Sequence, residues 1–189
     1  MSTLVMIILY LYAPSSLRPI DAESILSILT MVFIITFLVP ALSIGMLRLT
    51  ASITSMKLED RRERIMPLFF VAAYYALTVY LFSYKLVLSE TLIVLFSAIT
   101  ATILLVAIVT TFFKVSAHAA GIWGVTGLLL SIQIKFPDSR LLWPVFFMML
   151  LSGLINSSRL LLNAHSPKEV MLGSVLGFGT CFGAIYLFI

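Results

Sequence analysis

The apolar positions of this chain fall in long blocks rather than in a periodic stripe. Six stretches, 24–49, 67–87, 90–113, 117–134, 140–162 and 167–189, hold few charges. Each has about the 20 residues that a helix needs to cross a bilayer. The blocks are apolar on all faces and do not alternate, which predicts helices rather than the strands of a barrel. Pro40 lies inside the first block, where a membrane helix tolerates a kink. A further stretch, 3–13, is apolar but short, and Pro14 and Pro19 follow it. Three readings are open for it: a short span, a re-entrant segment, or the remnant of a longer helix. The pattern predicts an all-α, polytopic transmembrane helix bundle of about six to seven membrane segments, with one integral-membrane domain over 1–189.

Composition agrees with that reading: 61% of residues are hydrophobic and 11% charged. The net charge of +4 rests on a few basic residues in the connections between spans, so membrane lipid rather than nucleic acid is the expected partner. Cys181 is the only cysteine, which excludes an internal disulfide. The N-terminal stretch lacks a basic leader and a small-residue cleavage site, so no cleavable signal is expected.

The polar residues gather in three connections: "MKLEDRRERIMP" at 56–67, "KVSAHAAG" at 114–121 and "SSRLLLNAHSPKEV" at 157–170. Two spans separate each from the next, so all three emerge on one face of the membrane. In the first, Lys57, Arg61 and Arg64 are spaced i, i+4, i+7 on one helical face, with Asp60 placed to pair with Arg64. That face reads either as a juxtamembrane helix meeting anionic headgroups or as a clamp on phosphate. In the second, Ser116 is a candidate N-cap and His118 sits in the first turn, where free backbone N–H groups favour an anion. Gly121, Gly124 and Gly127 read as helix-packing positions.

The third connection carries the most chemistry. Arg159 lies at membrane depth, where an arginine has a partner, has a function, or snorkels to the interface. Ser166, Pro167 and Glu169 compose a capping box for the last helix. Glu169 has two candidate partners, the Ser166 backbone N–H or a ring nitrogen of His165. The second would fix the histidine tautomer and raise the basicity of the other nitrogen. Gly173, Gly177, Gly179 and Gly183 again read as packing positions. Both histidines of the chain thus share a face with several cations. A two-histidine, one-carboxylate metal site of His118, His165 and Glu169 is disfavoured by those cations, and no metal or other cofactor is expected.

In these three segments the sequence resembles the type 2 phosphatidic acid phosphatase family, relatives of the vanadium haloperoxidases. The family's first motif, Lys, six residues, Arg-Pro, is matched from Lys57 to Arg64. Its Pro-Ser-Gly-His is matched by Val115-Ser116-Ala117-His118. Its Ser-Arg, five residues, His, three residues, Asp is matched by Ser158, Arg159, His165 and Glu169, so the motif-bearing core runs over about 57–173. The departures are Pro67 standing three residues after Arg64, Val115 and Ala117 in place of proline and glycine, and Glu169 in place of aspartate.

The resemblance implies metal-independent hydrolysis of a phosphate ester or diphosphate through a phosphohistidine. In it His165 is the nucleophile, Glu169 orients it and His118 protonates the leaving oxygen. Lys57, Arg64, Arg159 and Ser116 bind the phosphoryl oxygens, and Ser158 adds a hydrogen bond. A site at the membrane surface with little soluble structure around it suits a lipid phosphate or polyprenyl diphosphate whose tail enters between helices. A non-catalytic relative that binds or transports lipid phosphate is the alternative. The resemblance also implies a bacterial inner membrane, with the site facing the periplasm or outside.

Overall fold

The computed structural model describes residues 1–20, 22–49, 61–86 and 88–189. Among the described residues there is no strand. The helices are α1 (Ser2–Tyr12), α2 (Ala22–Phe33), α3 (Val39–Leu49), α4 (Arg61–Tyr80), α5 (Glu90–Phe112), α6 (Ala117–Lys135), α7 (Leu142–Leu161) and α8 (Pro167–Phe188). Six stretches are long and apolar enough to cross a membrane: Glu23–Leu49, Arg64–Lys85, Glu90–Phe112, Ala117–Lys135, Leu142–Leu161 and Pro167–Phe188. They coincide with the six apolar blocks of the sequence.

Helices α2 and α3 form one span, joined by the π-helical turn Ile34–Leu38. Its cause is Pro40, which lacks an N–H and would crowd the Thr36 carbonyl four residues back. Widening the turn ahead of the proline removes the conflict, and the Val39 N–H bonds to the Ile34 carbonyl. Helix α4 likewise contains a proline, Pro67, two turns from its start.

Helix α1 has 11 residues, too few to cross a membrane, and packs against the bundle by one face. Ser2, Val5, Met6 and Leu9 form its buried face, at i, i+3, i+4, i+7. The Ser2 and Tyr75 hydroxyls share a 2.5 Å hydrogen bond, and the Arg140 N–H bonds to the Tyr12 carbonyl at 2.7 Å. One end of α1 therefore lies beside the middle of α4 and the other beside the connection between α6 and α7.

The tightest helix pair is α6 with α8, flanked by α5, while α7 joins chiefly through α6. Glycine permits the close approach. A Cβ on Gly173 would lie 2.5 Å from the Ser116 carbonyl oxygen, and one on Gly127 would lie 2.7 Å from that of Phe178. A Cβ on Gly177 would run into the backbone of Ala120. Gly121, Gly179 and Gly183 do not share this role, because no atom lies within 4 Å of their added Cβ. They sit on helix faces turned away from the close contact. Buried hydroxyls of Thr100, Thr102, Thr110 and Thr126 donate to the carbonyl four residues earlier, so each is satisfied within its own helix.

Candidate active site

Arg64, at the start of α4, meets the second and third polar connections at one end of the bundle. The loop before α6 is pinned to α8 by the backbone, where the Ser116 N–H donates to the Glu169 carbonyl at 3.2 Å. Ser116 caps α6 by accepting from the Ala119 N–H at 3.4 Å, and its side chain is wholly buried. The first turn of α6 keeps the N–H groups that lack an intrahelical acceptor, a favourable setting for an anion. His118 stands in that turn and is exposed.

Helix α7 is turned back by Asn163, which adopts the left-handed conformation at φ 50. Asparagine tolerates this better than most residues. The Ala164 N–H bonds to the Arg159 carbonyl at 3.1 Å, closing the helix end. The chain then re-enters α8 at once, with Ser166 accepting from the Glu169 N–H at 3.4 Å and Pro167 in the first turn. This tight reversal carries His165 back over the bundle, where it is buried.

Both ring nitrogens of His165 are engaged. Nδ1 lies 2.6 Å from Oε2 of Glu169, and Nε2 lies 3.2 Å from Nη1 of Arg64. Arginine is only ever a donor, so Nε2 must present its lone pair. The ring proton is then on Nδ1 and is donated to Glu169. Half of the capping box is made, by the Ser166 hydroxyl and the Glu169 N–H, while the Glu169 carboxylate is directed to the histidine. The imidazole is held below the ordinary histidine range. Burial is the main cause, the hydrogen bond donated to Glu169 pulls upward, and the Arg64 and Lys114 charges push down.

Arg159 and Arg64 lie within electrostatic range of His118, as does His165. The Arg159 Nε is buried and has no hydrogen-bond partner among the described residues. A buried guanidinium N–H in that condition is an unused donor. The Ser158 hydroxyl is exposed and donates to the Ile155 carbonyl at 2.8 Å, one turn back along its own helix. Lys57 and Asp60 lie outside the described residues. Arg64, His118, Arg159, His165 and Glu169 are therefore brought together, Ser116 lies beneath them as a cap, and Ser158 is turned to its own helix.

Lys114 was not among the expected site residues, yet its charge reaches His165. Its place two residues before Ser116 was the available signal. Among the described residues, no three His, Cys, Asp or Glu side chains group as metal ligands. The arrangement can hold a dianion among guanidinium groups, offer it a neutral imidazole lone pair, and place a second histidine nearby.

Residues 110–189 match the family model of the PAP2 superfamily. No curated protein and no solved structure matches the chain.

Proposed function

We propose, from the similarity of residues 110–189 to the PAP2 superfamily and from the geometry of the site, that the protein is a membrane-embedded lipid phosphate phosphatase. Its substrate is a phosphomonoester or diphosphate of a lipid or polyprenyl alcohol. The observation that carries the reading is the state of His165, with Nδ1–H held by Glu169 and the Nε2 lone pair directed at Arg64. In that state a phosphoryl group that takes over the Arg64 guanidinium meets the nucleophilic nitrogen in the same place.

Nε2 attacks phosphorus and the bond from phosphorus to the leaving oxygen breaks. His118 gives that oxygen its proton, the work of a positioned general acid. Arg64, Arg159 and Lys57 stabilise the charge on the equatorial oxygens, aided by the N-terminus of α6. Ser158 contributes once its hydroxyl leaves the Ile155 carbonyl. Water then attacks the phosphohistidine, His118 takes a proton from it, and phosphate leaves with His165 neutral again. No metal enters the cycle. The substrate's phosphate comes to the membrane surface, and the site faces the periplasm or outside of a bacterial inner membrane.

The test is phosphate release from a panel of lipid phosphates and prenyl diphosphates after exhaustive chelation. His165→Ala is expected to lower kcat by about 10³-fold or more, the scale seen when a nucleophile is removed. Rapid acid-free quenching of wild type should trap an alkali-stable, acid-labile phosphoenzyme that His165→Ala lacks. Binding of every lipid phosphate without release from any would instead make the protein a non-catalytic binder.

A further inference from the structure

Beneath the site lies a cavity of about 190 Å³ lined by α1, α4, α5, α6 and α8. Its α6 wall is a single helical stripe of Ala117, Ala120, Gly121, Gly124, Val125 and Leu128. Ala117 adjoins His118, and Leu68, also in the wall, lies one turn from Arg64. The cavity thus begins directly under the residues that would hold phosphate. From Ala117 to Leu128 it follows α6 for about 16 Å. Its far end is closed by Val5 and by the hydrogen-bonded Ser2 and Tyr75. The polar atoms of Thr102 and Cys181 in the wall satisfy each other at 3.4 Å. With Ser2 and Tyr75 also paired, the polar side chains of the wall make no demand for a polar ligand.

We propose that this cavity is a slot for the head-proximal stretch of one hydrocarbon chain of the substrate, and that Gly121 keeps it open. The proposal rests on the phosphatase reading above. An apolar cavity of roughly 150 Å³ takes one benzene, so this one holds about six to eight carbons of a single chain and has no room for two. A second chain, or the remainder of a long one, stays in the surrounding lipid. Gly121 is the residue through which width is set, because no atom lies within 4 Å of an added Cβ there. A larger side chain at 121 grows into the slot without moving backbone. The slot measures chain length from the phosphate and stops at the Ser2–Tyr75 pair.

The experiment measures kcat/KM for soluble n-alkyl phosphates from propyl to dodecyl, with geranyl phosphate alongside, in wild type, Gly121→Leu and Leu128→Ala. In wild type kcat/KM should climb about threefold to fourfold per added methylene and level off near eight carbons. In Gly121→Leu the ratio of octyl to propyl should fall at least tenfold. In Leu128→Ala the levelling point should move outward by a few carbons. The chain type, straight or prenyl, that loses more in Gly121→Leu is the slot's occupant. Chain-length profiles that coincide in all three proteins overturn the proposal. Should wild type release phosphate from none of the compounds, the phosphatase reading fails separately. The slot is then judged by photolabelling with decyl phosphate bearing a terminal diazirine. Label on Tyr75, Ile99 or Leu128 upholds it, and label confined to outward side chains such as Phe146 and Leu150 overturns it.

Discussion

In the proposed reaction a substrate has to displace Arg64 from Nε2 of His165, and the 3.2 Å bond between them sets what the displaced histidine is. Because its pKa lies below the ordinary value of about 6.5, the ring stays neutral and nucleophilic at neutral pH. The acid limb of kcat/KM should accordingly fall below pH 6.5, with activity lost only as pH drops through the lowered value. Glu169 opposes that lowering and Arg64 promotes it. Glu169→Gln should therefore move the limb to still lower pH, and Arg64→Gln should move it upward. The plateau rate of Glu169→Gln should drop by about 10²–10⁴-fold, as when an orienting carboxylate loses its charge. Glu169→Asp, which keeps the charge on a shorter arm, should retain more activity than Glu169→Gln. A pH–rate profile of the three variants checks all of this, and a limb that stays fixed denies the link to His165. The i, i+4 spacing made a contact between His165 and Glu169 legible in the sequence. It left open whether the carboxylate met the histidine or the helix cap, since the same residue serves both and only distance separates them. For Lys114 the only signal was its place two residues before Ser116, and a lysine beside a span otherwise looks like any juxtamembrane charge.

The pairing of α6 with α8 carries the site, since it sets Ser116 against Glu169. Its glycines differ sharply in what they contribute. At Gly177 an added methyl meets backbone, which cannot yield as a side-chain tip can, whereas at Gly179 it meets open space. Gly177→Ala should destabilise the protein by roughly 1–3 kcal/mol, the usual cost of overpacking, and lower phosphate release with it. Gly179→Ala should leave both near wild type. Thermal unfolding in detergent, with activity measured on the same samples, separates the two. Equal effects would mean that the helices are not packed through Gly177. The spans themselves were legible because an all-apolar block of about 20 residues has few other fates. The glycine roles were not, because spacing alone does not say which face of a helix meets its neighbour. Gly173 and Gly177 lie on the contact face, and Gly179 and Gly183 lie off it.

At the scale of the whole molecule, sidedness follows from the six crossings and from α1 not being one of them. An apolar stretch of 11 residues left its own fate open in the sequence, because burial in the bundle and partial insertion in lipid demand the same composition. Its tether to Arg140 places the end of α1 with the connection between α6 and α7, across the membrane from His165. Basic residues do not choose the orientation. The site side carries Arg48, Lys57, Arg61, Arg62, Arg64, Lys114, Arg159 and Lys168, and the other side carries Arg18, Lys85, Lys135 and Arg140. Setting aside the cations proposed to meet phosphate, Lys57, Arg64 and Arg159, leaves five on the site side against four, too small a difference for the positive-inside rule to act on. Two cysteines introduced one at a time, at Asn163 and at Asp138, in a Cys181→Ser background, therefore supply the measurement. With the site facing outward, a membrane-impermeant maleimide should label Asn163→Cys in intact cells and Asp138→Cys only after permeabilisation. The reverse result would overturn the outward site while keeping the six crossings. Labelling of both from one side would overturn the crossings themselves, since an odd number of spans between those positions is what puts them on opposite faces.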